Sequence, residues 1–152
     1  MADDTLDLLR DLIETCKDGE TGYVHAAGVA EDPQLKAYFT EQSLERARFG
    51  KELRAEAERL GDKPDASGSV SAVLHRVWFE TKATVGLGDQ STLNSVEQGE
   101  DRAKKDYEKA LSSQLPDDLR AIVQRQAESV NKAHDYVRDM RDGLAQPGEK
   151  VA

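Results

Sequence analysis

An all-α bundle of four long helices with one short crossover helix is the fold this chain predicts, and three observations predict it. Composition leans to helix formers: of 152 residues, 38% are hydrophobic, 34% charged, only 5% aromatic, and 4 are proline. That balance suits helices packed on helices better than a sheet. Apolar residues recur at the 3.6-residue helical period over long stretches. Turn signals separate those stretches: Asp32-Pro33, the run from Gly61 to Gly68, and Leu115-Pro116.

The elements follow in order. Asp3, Asp4 and Thr5 can cap a first helix over about residues 4–31. Asp32 then supplies an N-cap and Pro33 the first position of a second helix, which runs to about residue 60, where Gly61 can take the left-handed position beyond its end. After the polar loop DKPDASGS, a shorter helix spans about residues 70–85 and ends at the glycines of GLGDQ. A fourth helix covers about residues 91–113. The fifth opens on Pro116-Asp117-Asp118, whose acids complement the helix dipole, and ends near Gly143. Residues 1–143 then form one domain, and the tail 144–152 is expected to be disordered.

Two pairs of long helices, each joined by a tight turn, with a short helix between the pairs, dictate a path. The first helix goes up and the second down; the short third climbs back, the fourth descends and the fifth rises. The result is an up-down-down-up bundle with the third helix as crossover. Apolar residues of that helix, Val70, Val73, Leu74, Val77, Trp78 and Phe79, wrap more than one face. Trp78 and Phe79 fit either packing within the monomer or a homodimer contact.

Charge and cysteine use narrow the function classes. A net charge of −9 repels phosphate backbones and anionic lipids, so neither nucleic acid nor a membrane surface is an expected partner. The apolar runs are far short of a membrane span and no export segment opens the chain, so a cytoplasmic setting is expected. The single cysteine, Cys16, excludes an internal disulfide or a CxxC metal knuckle, and its helix position reads as a small buried hydrophobe. No Ser/His/Asp arrangement, phosphate loop or dinucleotide fingerprint is present, so no enzyme class is indicated.

The apolar arcs contain polar intruders. Glu20 lies within the arc of Leu6, Leu9, Ile13, Cys16, Tyr23 and Ala27 on the first helix, directly after Gly19. Glu100, after Gly99, lies within the arc of Leu93, Val96, Ala103, Tyr107 and Leu111. The second helix buries Leu35, Tyr38, Phe39, Phe49, Leu53 and Leu60, with Gln42 and Arg46 in its arc and Glu45 on its flank. His134 lies in the arc of Val123, Ala127, Val130 and Val137. Glu14, His25 and His75 fall off these faces and read as surface residues. Counting outward from the turns sets Glu20 level with Glu45 and Glu100 level with Asn131, with His134 one turn away. Three carboxylates and one imidazole are thus expected at mid-height.

The segments LLRDLIETCKDGETGY, SGSVSAVLHRVW, VEQGEDRAKKDY and AHDYVRDMRD resemble a bacterial ferritin-like family of unknown function, over about residues 5–142. That resemblance implies a ferritin-like four-helix bundle. Proteins of this superfamily hold two metals with one Glu from each of two helices and Glu-x-x-His from each of the other two. Carried onto this chain residue by residue, the pattern leaves Glu20, Glu45, Glu100 and His134. Arg48 and Asn131 stand where a further His and Glu would be. Four ligands suit one Zn²⁺, Mn²⁺ or Fe²⁺ rather than a dimetal oxidase. Lacking a full loading centre, the chain is expected as a monomer or dimer and not as a storage cage.

Two functions fit these residues. One is a divalent metal site serving metal handling or stress. The other is a non-enzymatic helical interaction protein whose site is vestigial, with Lys17, Arg46 and Lys104 neutralising the carboxylates in buried ion pairs.

Overall fold

The computed structural model describes residues 2–63 and 88–145. Four helices make up these residues: α1 (Ala2–Val29), α2 (Pro33–Arg59), α3 (Asp89–Leu111) and α4 (Asp117–Ala145). No strand occurs among the described residues. The expected crossover helix over residues 70–85, with Trp78 and Phe79, lies outside them, as does the tail from residue 146. α4 runs two residues past the expected stop at Gly143, to Ala145.

Turn chemistry works as the sequence demands. Asp32 is the N-cap of α2 and its side chain accepts a hydrogen bond from the Gln34 amide at 2.9 Å. Gly61 adopts φ +99°, the left-handed conformation that ends the helix without a Cβ clash. Leu60, expected inside, is exposed because it is the C-cap of α2, beyond the last packed turn.

One tie was not foreseen: Asp89, at the first residue of α3, accepts hydrogen bonds from the Glu31 and Asp32 amides at 2.8 and 3.0 Å. It fastens the start of the second hairpin to the turn of the first.

Helix directions are fixed by contacts that run in opposite order along each neighbouring pair. From α1 to α3, Cys16 meets Tyr107 and Tyr23 meets Glu100. From α2 to α4, Ser129 donates to Glu45, Gln126 to Glu52, and Arg59 pairs with Asp118. Each helix is therefore antiparallel to both neighbours, α2 and α3 are parallel across the diagonal, and the order is up-down-down-up. Among the described residues no helix is long and apolar enough to cross a membrane.

Two apolar clusters fill the bundle. One holds Leu9, Leu12, Cys16, Phe49, Leu53, Tyr107, Leu119, Val123 and Val130. The other holds Tyr23, Leu35, Phe39, Leu93, Val96 and Val137. On every helix the break between clusters falls at the level where the sequence places its polar intruders. A polar layer divides the core.

Glu14 and His25, read as surface residues, are half-buried. The Oε2 of Glu14 is buried without a hydrogen-bond partner.

Candidate functional site

Three side chains form the centre of the polar layer. Arg46 reaches from α2 across the bundle and its Nη2 donates to Glu100 Oε2 on α3 at 2.5 Å. The Tyr23 hydroxyl on α1 donates to the same oxygen at 2.8 Å. Arg46 is 1% exposed and Glu100 is 2% exposed, so both charges are withdrawn from water. Burial alone would lower the pKa of Arg46; the adjacent Glu100 carboxylate outweighs it and leaves the guanidinium firmly charged. Burial, then the charge of Glu100, pushes the Tyr23 phenol well above its ordinary value.

Gly19 makes this pair possible. A Cβ at that position would lie 2.9 Å from Arg46 Nη1 and 3.3 Å from its Cγ. The helix-weakening glycine thus clears space for a side chain from α2. Gly99 has no such reason, since it is exposed.

A second buried network lies one level away. Cys16 Sγ sits 3.2 Å from the Tyr107 hydroxyl, which donates to Gln126 Oε1 at 2.7 Å. Burial pushes the Cys16 thiol up to about 11, with Tyr107 and nearby arginines pulling the other way. A raised thiol pKa favours the folded state while the thiol is neutral. That contribution is complete below the ordinary value of 9.0 and is lost as pH rises through about 11. Two pKa units correspond to about 3 kcal/mol at most. Denaturant midpoints should therefore fall more steeply between pH 9 and 11 in wild type than in Cys16→Ala; parallel pH profiles would contradict this. Iodoacetamide at pH 8 should label Cys16 only as fast as the chain unfolds.

The four residues singled out in the sequence occupy different surroundings. Glu20 is half-buried on α1. Glu45 is half-buried on the α2 flank, where it accepts from Ser129 and lies 3.9 Å from Arg48. Glu100 is held by Arg46 and Tyr23. His134, 7% exposed, faces α3 at a level one turn from Glu100. Among the described residues, the group of carboxylates and imidazole whose ligand atoms all lie within 4.8 Å of one another is Glu97, Asp101 and His134.

α3 and α4 build that group. Glu97 and Asp101 are four residues apart, one helical turn, and so share a face of α3. His134 Nε2 lies 2.7 Å from Asp101 Oδ1 and 3.8 Å from Glu97 Oε2. Its Nδ1 lies 3.1 Å from Asp135 Oδ1. The hydrogen bond from His134 holds the Asp135 carboxyl below its ordinary pKa. The other Glu97 oxygen, Oε1, pairs with Arg141.

Both ring nitrogens thus face carboxylate oxygens, which only accept hydrogen bonds. A neutral imidazole has one N–H and can satisfy one of them. If Asp135 takes that N–H, the Nε2 lone pair points at Asp101 and Glu97, and a proton or a metal cation must lie between. A carboxylate on the far nitrogen is also the partner that orients metal-ligating histidines.

Glu97 and Asp101 escaped the sequence reading, though a signal for them existed. The turn count that levels Glu100 with Asn131 also levels Glu97 with His134, and Asp101 repeats one turn along the same face.

The interior does not fit the dimetal centre that the superfamily resemblance implies. Glu100, a required ligand, is committed to a buried guanidinium that fills the space beside Gly19. The Glu97–Asp101–His134 group does fit a single divalent ion, with two oxygens and one nitrogen of the kinds that Zn²⁺, Mn²⁺ and Fe²⁺ accept.

Comparison with known proteins supports the same fold. A Dps1 mutant from Mycobacterium smegmatis superposes with a TM-score of 0.76 at 18% identity, over 92% of this chain and 96% of that one. No curated protein matches the chain. The family model described as domain of unknown function DUF2383 matches residues 4–113, well over half of the chain. The chain therefore belongs to the DUF2383 family, carried on a ferritin-like four-helix bundle.

Proposed function

We propose that this protein binds one divalent metal cation at Glu97, Asp101 and His134, and acts in metal handling or stress rather than in oxygen chemistry. The observation that carries this reading is the position of His134, with one ring nitrogen against Asp135 and the other aimed at two carboxylates. Of the four ligands expected from the sequence, the reading keeps His134. It leaves Glu100 to its ion pair with Arg46, and Glu20 and Glu45 to the half-buried flanks. A bound divalent ion would supply the positive charge that the two carboxylates and the imidazole lone pair lack. In this reading the chain works in the cytoplasm as a monomer or homodimer, and the net charge of −9 argues against nucleic-acid or membrane partners.

Calorimetric titration of tag-free protein tests it. One zinc per chain should bind, and more tightly than manganese or ferrous iron, following the general order of divalent affinities. Zinc at about 100-fold over its Kd should stabilise the fold by about 2.7 kcal/mol. His134→Ala and Asp101→Asn should each weaken binding by at least about tenfold. Wild-type protein that gives neither heat nor a melting shift with zinc, or His134→Ala that binds as well as wild type, would rule the site out.

A second reading draws on the Arg46–Glu100 pair: a helical interaction protein whose interior metal centre has been replaced by a buried ion pair. It concerns the interior, whereas the proposed metal site lies at the α3–α4 seam, so the two can hold together.

A further inference from the structure

We infer that Arg141 is a built-in competitor for the metal, a tethered cation that occupies Glu97 and sets the site's affinity. The inference rests on the reading that Glu97, Asp101 and His134 bind a divalent ion. Glu97 is shared: its Oε2 lies 3.8 Å from His134 Nε2, while its Oε1 pairs with Arg141 Nη1. Its side chain is 13% exposed, so the pair is largely shielded from water. Arg141 sits two turns beyond His134 on the same face of α4 and is 26% exposed. Its Nη2 also contacts its neighbour Asp142 at 2.9 Å.

A guanidinium carries one fixed charge and cannot be deprotonated near neutral pH, so it competes with a metal at every working pH. For Glu97 to serve as a full ligand, its carboxylate must turn from Arg141 toward His134 and Asp101. Arg141 has somewhere to go, because Asp142 already holds one of its nitrogens. Metal entry therefore exchanges one cation for another at Glu97.

Arg138 supplies a control of equal charge. It lies one turn from Arg141 but pairs with Asp135 and Asp139, at 3.4 and 3.1 Å, and not with Glu97, Asp101 or His134. Removing either arginine takes one positive charge from the neighbourhood; removing Arg141 alone frees a ligand.

The test is zinc titration of the full chain by calorimetry for wild type, Arg141→Gln and Arg138→Gln, with circular dichroism melts to confirm folding. A partly shielded ion pair at this exposure corresponds to about a fivefold competition, so Arg141→Gln should bind zinc about five times more tightly than wild type. Arg138→Gln should gain about twofold or less. Equal affinity in wild type and Arg141→Gln, or an equal gain in Arg138→Gln, overturns the competitor while leaving the metal site standing. No binding in any of the three overturns both.

Discussion

Glu100→Ala should lower stability by about 3–5 kcal/mol, among the largest effects of any single substitution in this chain. The mutation removes the counter-charge of Arg46, a guanidinium 1% exposed whose Nε already lacks a hydrogen-bond partner. The stranded cation loses its ion-pair partner, and the Tyr23 hydroxyl loses its acceptor as well. For a chain of this size the loss corresponds to a fall in Tm on the order of 10 °C. A chelator should not reproduce it, because the Arg46 guanidinium already neutralises Glu100. Replacing both partners, as in Arg46→Met with Glu100→Leu, should recover most of the loss, since apolar residues of similar volume often match a buried ion pair. Melts in denaturant of the three chains decide the matter. A Glu100→Ala protein within about 0.5 kcal/mol of wild type, or wild type that loses several degrees on adding chelator while Glu100→Ala does not, would show that Arg46 is not what neutralises the glutamate.

The helices were legible because periodicity and punctuation agree. Asp32-Pro33 and Gly61 bound α2 through chemistry that is local to a few residues, and local chemistry survives whatever the rest of the chain does. The height of the polar layer was legible too, since residues per turn and tight turns fix levels to within a residue or two. What the sequence left open is pairing across the bundle. The arc count puts Gln42 and Arg46 inside and Glu45 on the flank, and in the structure Arg46 takes the interior while Glu45 stays on the flank with Ser129. The same holds on α3, where Glu97 and Asp101 lie on the flank of the arc that contains Glu100. A template that asks for interior ligands passes over residues on a seam, although their level with His134 was countable. The residue that completes the core pair, Arg46, adjoins Glu45 in sequence; its partner, Glu100, lies diagonally across the bundle.

Gly19→Leu should cost about 3 kcal/mol, and its dependence on Arg46 is the sharper test of how the polar layer is built. Glycine inside a helix is normally a defect, and alanine there gains about 1 kcal/mol. At Gly28, where a Cβ would meet nothing within 4 Å, Gly28→Ala should show some of that gain. At Gly19 even the first carbon would come within 2.9 Å of Arg46 Nη1 and 3.3 Å of its Cγ. The terminal nitrogen of an arginine usually swings aside at little cost, but here the guanidinium is anchored through its other nitrogen, Nη2, to the Glu100 carboxylate and has no water to turn toward. Gly19→Ala should therefore destabilise in wild type despite its better helix propensity, and Gly19→Leu should push the guanidinium off Glu100 altogether. In the background of Arg46→Ala with Glu100→Ala the obstacle is gone, so Gly19→Ala should become neutral or stabilising by up to about 1 kcal/mol. That reversal of sign, read from urea melts of the four chains, is specific to a glycine kept for a neighbour's side chain. A Gly19→Ala penalty that persists unchanged without Arg46 would mean that α1 needs glycine there for its own backbone, and that the arginine merely uses a space made for another reason.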